Sequence, residues 1–245
     1  MLKGKSALIT GSATGIGKAV ALRLAREGAN ITVNYSRSEK EALETKREIE
    51  ALGVNCLLVQ TTVSDDSQVR AMVRQAVESF GGLDILVNNA GVTDFVKHDD
   101  LEGLKEEYWD RVMDVNVKGM FFCCRAAAPE LKKRNGCIVN LTSVAGITGL
   151  GSSIAYAASK AAANTMTKSL ARVMAPEVRV NAIAPGIVDT RWIEGQSEHV
   201  ANLAKGTPMG RIATPDDVAE TVFSVIAHAP FTTGELIKID GGMFM

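Results

Sequence analysis

Short apolar runs alternate along the chain with longer stretches in which apolar positions recur at helical spacing. The short runs predict strands at Ser6–Thr10, Ile31–Asn34, Asn55–Gln60, Leu83–Asn88, Cys137–Leu141, Val178–Ile183 and Leu236–Asp240. Between them the longer period predicts helices over Ile16–Glu27, Ser38–Leu52, Ser64–Phe80, Tyr108–Lys133, Ile154–Ala175 and Pro215–Ala227. Gly28, Gly53 and Asn135-Gly136 follow helical stretches, and Thr214-Pro215-Asp216 opens one, as their backbone preferences require.

Strands separated by helices of this length imply right-handed crossovers and a mainly parallel sheet. The expected fold is α/β: a single doubly wound Rossmann-type domain over 1–245, its seven-stranded sheet flanked by helices on both faces. No linker, repeat or low-complexity segment divides the chain. The one long irregular stretch, Pro185–Ala213, carries Ile187, Val188, Trp192, Ile193, Leu203 and Met209 and is too apolar for a linker. It is expected to form a substrate-covering loop over about 186–213, with a short helix near 193–204.

Composition narrows the function. With 28 acidic and 27 basic residues the net charge is −1, so no global basic field attracts nucleic acid. No apolar run approaches the roughly 20 residues that span a bilayer. Met1-Leu2-Lys3-Gly4-Lys5 runs into the first strand without a signal-peptide core. A soluble, cytoplasmic protein is expected. Cys56 and Cys137 sit in strand-like runs, and Cys123 and Cys124 are adjacent in a helix. Neither the cysteines nor His98, His199 and His228 have metal-ligand spacing, so a structural or solvated role is expected.

Tyr156-Ala157-Ala158-Ser159-Lys160 is the most chemical segment. On a helix, Tyr156 and Lys160 form an i,i+4 pair on one face. A phenol has a reference pKa of about 10; a neighbouring ammonium favours the phenolate and is expected to lower it. Ser143 follows the Cys137–Leu141 strand, at the strand end where open α/β sheets bind ligands. The three together could hold a carbonyl oxygen and hand it a proton. The same spacing also suits a surface tyrosine stacked on a lysine.

After the first strand, Thr10-Gly11-Ser12-Ala13-Thr14-Gly15-Ile16-Gly17-Lys18 leads into a helix. Glycines there permit a tight turn and close approach of a pyrophosphate to a helix N-terminus. The spacing is Gly-x3-Gly-x-Gly, unlike the G-x-G-x-x-G of most dinucleotide folds.

With these motifs in order, the chain resembles the short-chain dehydrogenase/reductase family from about Leu2 to its C-terminus. The resemblance rests on the Thr10–Gly17 turn, Asn88-Asn89-Ala90-Gly91, Asn116 in Asp114-Val115-Asn116-Val117-Lys118-Gly119, and Ser143, Tyr156 and Lys160. Pro185-Gly186 with Thr190, and Asp240-Gly241-Gly242, complete it. It implies that Tyr156 is the acid in reduction and the base in oxidation, and that Lys160 binds the nicotinamide ribose and depresses the tyrosine pKa. Ser143 would hydrogen-bond the substrate oxygen, and Asn116 would support a water relaying protons to Lys160. On the cofactor side it implies contacts from Gly11, Ser12, Thr14, Gly15, Ile16 and Gly17, then Thr62 and Val63. Asn89, Ala90 and Gly91 would border the adenosine ribose; Pro185, Gly186, Ile187 and Thr190 would meet the nicotinamide end, beside Tyr156 and Lys160.

After the second strand stands Asn34-Tyr35-Ser36-Arg37-Ser38, with no acid until Glu39. Arg37 can fork onto a ribose 2′-phosphate with Ser36 and Ser38 as further donors, so NADP(H) is expected ahead of NAD(H). Arg37 could instead be a solvated charge pairing with Glu41. Thr62 stands where the family commonly has an aspartate on the adenine amine; Asp65 could substitute.

The substrate pocket is expected to be mainly apolar, lined by Val144, Ile147, Leu150, Ile187, Val188 and Trp192, with Arg191 as the one cation that could reach it. Among relatives the pattern most resembles 3-oxoacyl-[acyl-carrier-protein] reductases, and Arg134 and Arg172 are candidates at the active-site rim for docking an acidic carrier. As cations near helix C-termini they could equally complement the dipole. Reductases of other ketones or alcohols (sugars, polyols, steroids) carry similar residues, and a non-enzymatic NADP(H)-sensing protein is the alternative of another class. The family's use of the two long helices, Tyr108–Lys133 and Ile154–Ala175, implies a homotetramer.

Overall fold

Seven strands form one sheet: β1 (Ser6–Ile9), β2 (Asn30–Tyr35), β3 (Cys56–Gln60), β4 (Ile85–Asn88), β5 (Cys137–Leu141), β6 (Arg179–Pro185) and β7 (Leu236–Ile239). Their order is β3-β2-β1-β4-β5-β6-β7 and every pair is parallel. The computed structural model describes residues 1–193 and 203–245. Strand order reverses between β1 and β4, which makes their C-terminal ends a topological switch point, the crevice where doubly wound sheets take ligands.

Successive side chains of a strand point to opposite faces, and the packing follows that period. Leu8, Leu86, Ile138 and Val180 are in register across four strands and face one layer. That layer is built from α3 (Asp66–Phe80), α5 (Met120–Lys133) and α7 (Ile154–Met174). Their neighbours Ile9, Val87 and Val139 face the other, built from α1 (Gly15–Arg26), α2 (Glu39–Glu50) and α8 (Pro215–His228). Leu8, Leu86 and Ile138 are fully buried, each contributing about 1.5–3 kcal/mol of transfer free energy. The expected doubly wound fold is therefore the observed one. No helix among the described residues is long and apolar enough to cross a membrane.

Tyr108–Lys133, expected as one helix, is three pieces. α4 (Glu106–Met113) passes into a π-helical stretch, Asp114–Gly119, before α5 begins. The cause is tertiary. Asn116 is buried and bonded to the backbone of Val92, and a Cβ on Gly119 would stand 2.7 Å from Val63 Cγ2, so the widened turn fits between fixed neighbours. A short helix, α6 (Ala145–Thr148), follows Ser143 and was not apparent in the pattern. Of the helix expected near 193–204, residues 194–202 lie outside the described residues; Arg191–Ile193 form a 3-10 turn. Thr214 caps α8 as expected, its hydroxyl accepting from Asp217 N while the Asp217 carboxylate accepts from Thr214 N.

Candidate active site

The switch point is tied together by polar side chains at the strand ends. Thr10 Oγ1 accepts from the N–H groups of Asn89 and Ala90, each at 3.0 Å. Asn89 Nδ2 donates back to the Thr10 and Gly11 carbonyls, at 3.0 and 2.9 Å. Asn34 Oδ1 accepts from Gly11 N, and its Nδ2 donates to Thr61 O. Thr10 and Asn34 are organisers that the motifs do not single out; the available signal was an asparagine one residue before the end of β2.

The glycine turn built on this frame fits a dinucleotide phosphate. Gly15 adopts φ +57°, a conformation L side chains avoid. A Cβ on Gly17 would lie 2.5 Å from both Asn89 Nδ2 and Gly11 O. Helix α1 opens without a side-chain cap and with no acid in its first turn, which leaves its N–H groups to an anion. Thr14, Gly15 and Ile16 stand partly open at this point. Ser12, expected among the contacts, is turned inward: its N–H and hydroxyl donate to Asn34 O and Ile9 O, and its hydroxyl accepts from Asn34 N.

Further along the crevice, Ser36 and Arg37 are exposed beyond β2, and no ion pair joins Arg37 to Glu41 among the described residues. Thr62 is exposed, whereas Val63 is buried against Gly119. Asp65 is not available as a substitute for the missing adenine contact. Its carboxylate caps α3, accepting from the N–H groups of Ser67 and Gln68 and from both their side chains, which holds it below the usual carboxylate range. Gly186 N donates to Ile239 O, and the segment beyond it is tied to Ala213 by an isolated parallel bridge, Ala213 N donating to Ile187 O and Asp189 N to Ala213 O. This brings Thr190 over the turn, its Cγ2 3.6 Å from where a Gly15 Cβ would be. Arg191 turns away from the substrate side and donates to Ser38 Oγ at 3.3 Å.

Ser143, Tyr156 and Lys160 converge at the C-terminal end of β5. Ser143 Oγ accepts from Ala145 N at 3.1 Å and sits 3.5 Å from Pro185 O. Ser153 caps α7 by accepting from Tyr156 N, which fixes the first turn that carries the tyrosine. Lys160 is buried, and its Nζ donates to Leu141 O at 3.0 Å. Asn116 Nδ2 donates to Val92 O and Ser159 Oγ, and its Oδ1 accepts from Val92 N. Its side chain is thus committed to the frame. Gly91 adjoins both groups: a Cβ there would touch Asn116 Oδ1 at 3.4 Å and Lys160 Nζ at 3.7 Å.

The expected lowering of the tyrosine pKa is not found. Burial pushes the Tyr156 phenol up to about 12, with the nearby Ser143 hydroxyl drawing the other way. Burial also pulls Lys160 down to about 8. The lysine is itself desolvated and bonded to Leu141, and the desolvation of the phenol outweighs the one opposing influence, the Ser143 hydrogen bond.

Phe95, Ile147, Leu150 and Trp192 stand exposed around the opening, and Trp192 meets the Tyr156 ring edge-on at 6.2 Å between centroids. The loops carrying Phe95 and Leu150 are joined by Val96 N to Ser152 O and by a Thr93–Ser152 hydroxyl pair. Arg134 and Arg172 do not belong to this rim within the chain. Arg134 donates to Gly81 O and lies 3.7 Å from Asp84, before β4. Arg172 is sixteen residues beyond Tyr156 on the continuous α7, about 24 Å along its axis. In a parallel sheet each crossover helix runs from the strand C-terminal edge back to the N-terminal edge, so the last turns of α5 and α7 lie opposite the site.

A dinucleotide crevice at the switch point, beside a serine, tyrosine and lysine, defines the class of NAD(P)-dependent oxidoreductases built on a Rossmann-like sheet. The chain belongs to the short-chain dehydrogenase/reductase family. A family model described as enoyl-(acyl carrier protein) reductase matches residues 11–244. The 3-oxoacyl-[acyl-carrier-protein] reductase FabG of Staphylococcus aureus is 41% identical over 245 residues, covering 98% of each chain. Among solved structures, a short chain dehydrogenase from Burkholderia cenocepacia in complex with NADP superposes with a TM-score of 0.92 at 36% identity, covering 100% of this chain and 99% of the other. A short-chain dehydrogenase/reductase from Serratia marcescens does so with a TM-score of 0.92 at 33% identity and the same coverage. The chain is an oxidoreductase of this family, similar to FabG.

Proposed function

We propose that the protein reduces the ketone of a 3-oxoacyl thioester, carried on an acyl carrier protein, with NADPH. The observation that carries this reading is the meeting of Ser143, Tyr156 and Lys160 at the end of β5 beside the glycine turn, under an apolar rim of Phe95, Ile147, Leu150 and Trp192. Similarity to FabG over the whole chain supports the thioester substrate. The crevice beyond β2 supports NADPH, since exposed Ser36 and Arg37 stand there and no carboxylate ends the strand.

When bound, the reduced dinucleotide supplies a hydride to the carbonyl carbon. Gly11, Thr14, Gly15, Ile16 and Gly17 hold its phosphates against α1, and Ser36, Arg37 and Ser38 hold the adenosine ribose. Thr62, Asn89, Ala90 and Gly91 form the wall beyond, while Pro185, Gly186, Ile187 and Thr190 hold the nicotinamide end. Ser143 donates to the substrate oxygen. Tyr156, fully protonated at neutral pH with its phenol near 12, gives that oxygen its proton. The phenolate left behind is stabilised by the Lys160 ammonium and by Ser143, which is where the lysine acts on the tyrosine. Lys160 also holds the nicotinamide ribose. Asn116 keeps the Val92 loop and Ser159 in place, and so steadies the turn of α7 that carries Lys160. Ile147 and Trp192 bound the acyl chain. A single domain in a homotetramer is the expected form.

Consumption of NADPH with a 3-oxoacyl thioester, compared with sugar, polyol and steroid ketones, tests the substrate. Tyr156→Phe should abolish turnover and leave NADPH binding intact; substantial turnover in that variant would sink the acid role.

A further inference from the structure

Arg191 was the one cation that the sequence allowed near the substrate, and the structure turns it to the other end of the crevice. Its Nη1 donates to the hydroxyl of Ser38, 153 residues earlier in the chain. Ser38 occupies the N-cap position of α2, and its side chain caps nothing. It sits just past the end of β2, the strand end that receives the adenosine ribose in a doubly wound sheet. Beside this contact lies a cleft of about 500 Å³, lined by Thr14 and Gly15 of the glycine turn, by Glu41, and by Asp189, Thr190 and Arg191. The segment bearing Arg191 is not loose at its base: residues 187 and 189 are bonded to Ala213 on both sides of a parallel bridge.

We propose that Arg191 recognises the ribose 2′-phosphate of NADP(H), acting with Ser38 and Arg37 from across the crevice. This rests on the dinucleotide reading above and adds to it a residue from the nicotinamide-side segment that selects the adenosine end. One N–H of the guanidinium already goes to a hydroxyl at the ribose position, and the fork geometry lets further N–H groups meet phosphate oxygens. Glu41 and Asp189 line the same cleft, so a dianionic phosphate there depends on the Arg191 cation to offset their charge. A 2′-hydroxyl offers the fork no charge to pair with, which makes the contact selective for the phosphorylated cofactor.

Isothermal titration of NADP⁺ and NAD⁺ into the wild-type, Arg191→Ala and Arg191→Lys chains tests this without turnover. Arg191→Ala should weaken NADP⁺ roughly ten- to a hundredfold, the range of one charge-assisted hydrogen bond, and NAD⁺ by less than about threefold. Arg191→Lys should fall between, keeping the charge and losing the fork. An equal loss for both dinucleotides, or no loss for either, overturns the proposal. Retained turnover in Tyr156→Phe would strike the reductase reading and leave the Arg191 result standing. A wild-type chain that binds neither dinucleotide strikes both.

Discussion

The Nζ of Lys160 lies 5.6 Å from the centre of the Tyr156 ring and donates to the Leu141 carbonyl at 3.0 Å. The two side chains share a helix face, yet the lysine is held by the strand behind it. Of the two groups, the lysine is the one whose charge changes near working pH, since burial brings it to about 8 while the phenol stays near 12.

The pH dependence of kcat/KM for NADPH should therefore report Lys160. The ammonium is present below its pKa, so the rate constant should be flat at neutral pH and fall as pH rises through about 8. Arginine stays charged throughout this range. Lys160→Arg should have a lower plateau and no fall near pH 8. An unchanged break in that variant would assign the ionisation to another group.

The same burial predicts a stability signature. Unfolded, Lys160 keeps its proton to its ordinary 10.5; folded, it releases it at about 8. Between those values the unfolded chain binds more protons, so stability rises with pH, by up to about 3 kcal/mol from this group. Tyr156 acts in the opposite sense and only higher, between 10 and about 12. Urea unfolding of wild type and Lys160→Met at about pH 7 and about pH 10 separates the effect. The variant should be the more stable chain at the lower pH and lose that advantage at the higher one. Parallel behaviour of the two would show that the lysine is not desolvated.

Most of the fold was legible because each strand is bounded by turn residues and each helix has a distinct apolar stripe. The π turn at Asp114–Gly119 was not, because it is imposed by contacts remote in sequence rather than by the local apolar pattern. Its cause, the bonding of Asn116 to Val92, joins residues 24 apart in sequence. Ser12 misled for a related reason: a hydroxyl in a glycine turn can face the ligand or the strand ends, and only the neighbouring Asn34 decides which. Arg134 and Arg172 could have been placed from the parallel topology alone, which sends helix C-termini to the far edge. The tyrosine pKa needed the depth of the site, a quantity that spacing does not carry.

Asn116 should be exacting in its chemistry. Asn116→Ala leaves the Val92 N–H, the Val92 carbonyl and the Ser159 hydroxyl short of a partner, and should cost about 3 kcal/mol in denaturant unfolding. Asn116→Asp keeps the shape and sets an acceptor against the Val92 carbonyl, which is itself an acceptor. It should be destabilised nearly as much, and both variants should lose more in kcat than in KM, since the frame they disturb carries Lys160. Wild-type stability in the aspartate variant would mean that the amide donor is not needed.

Gly17 offers the sharpest test of the phosphate turn. A methyl group there would stand 2.5 Å from Gly11 O and Asn89 Nδ2 and 2.8 Å from Ser12 Cα, and two of these three neighbours are backbone. Backbone atoms cannot yield as a flexible side-chain end can, so Gly17→Ala must displace the turn from α1 or from the Asn89 loop. A loss of about 2 kcal/mol or more is expected, with NADPH affinity reduced at least tenfold. Gly206 is the matched control, since a Cβ there meets nothing within 4 Å among the described residues. Gly206→Ala should unfold and bind NADPH like wild type. If Gly17→Ala also behaves like wild type in both measurements, the close approach at the turn carries neither stability nor cofactor binding.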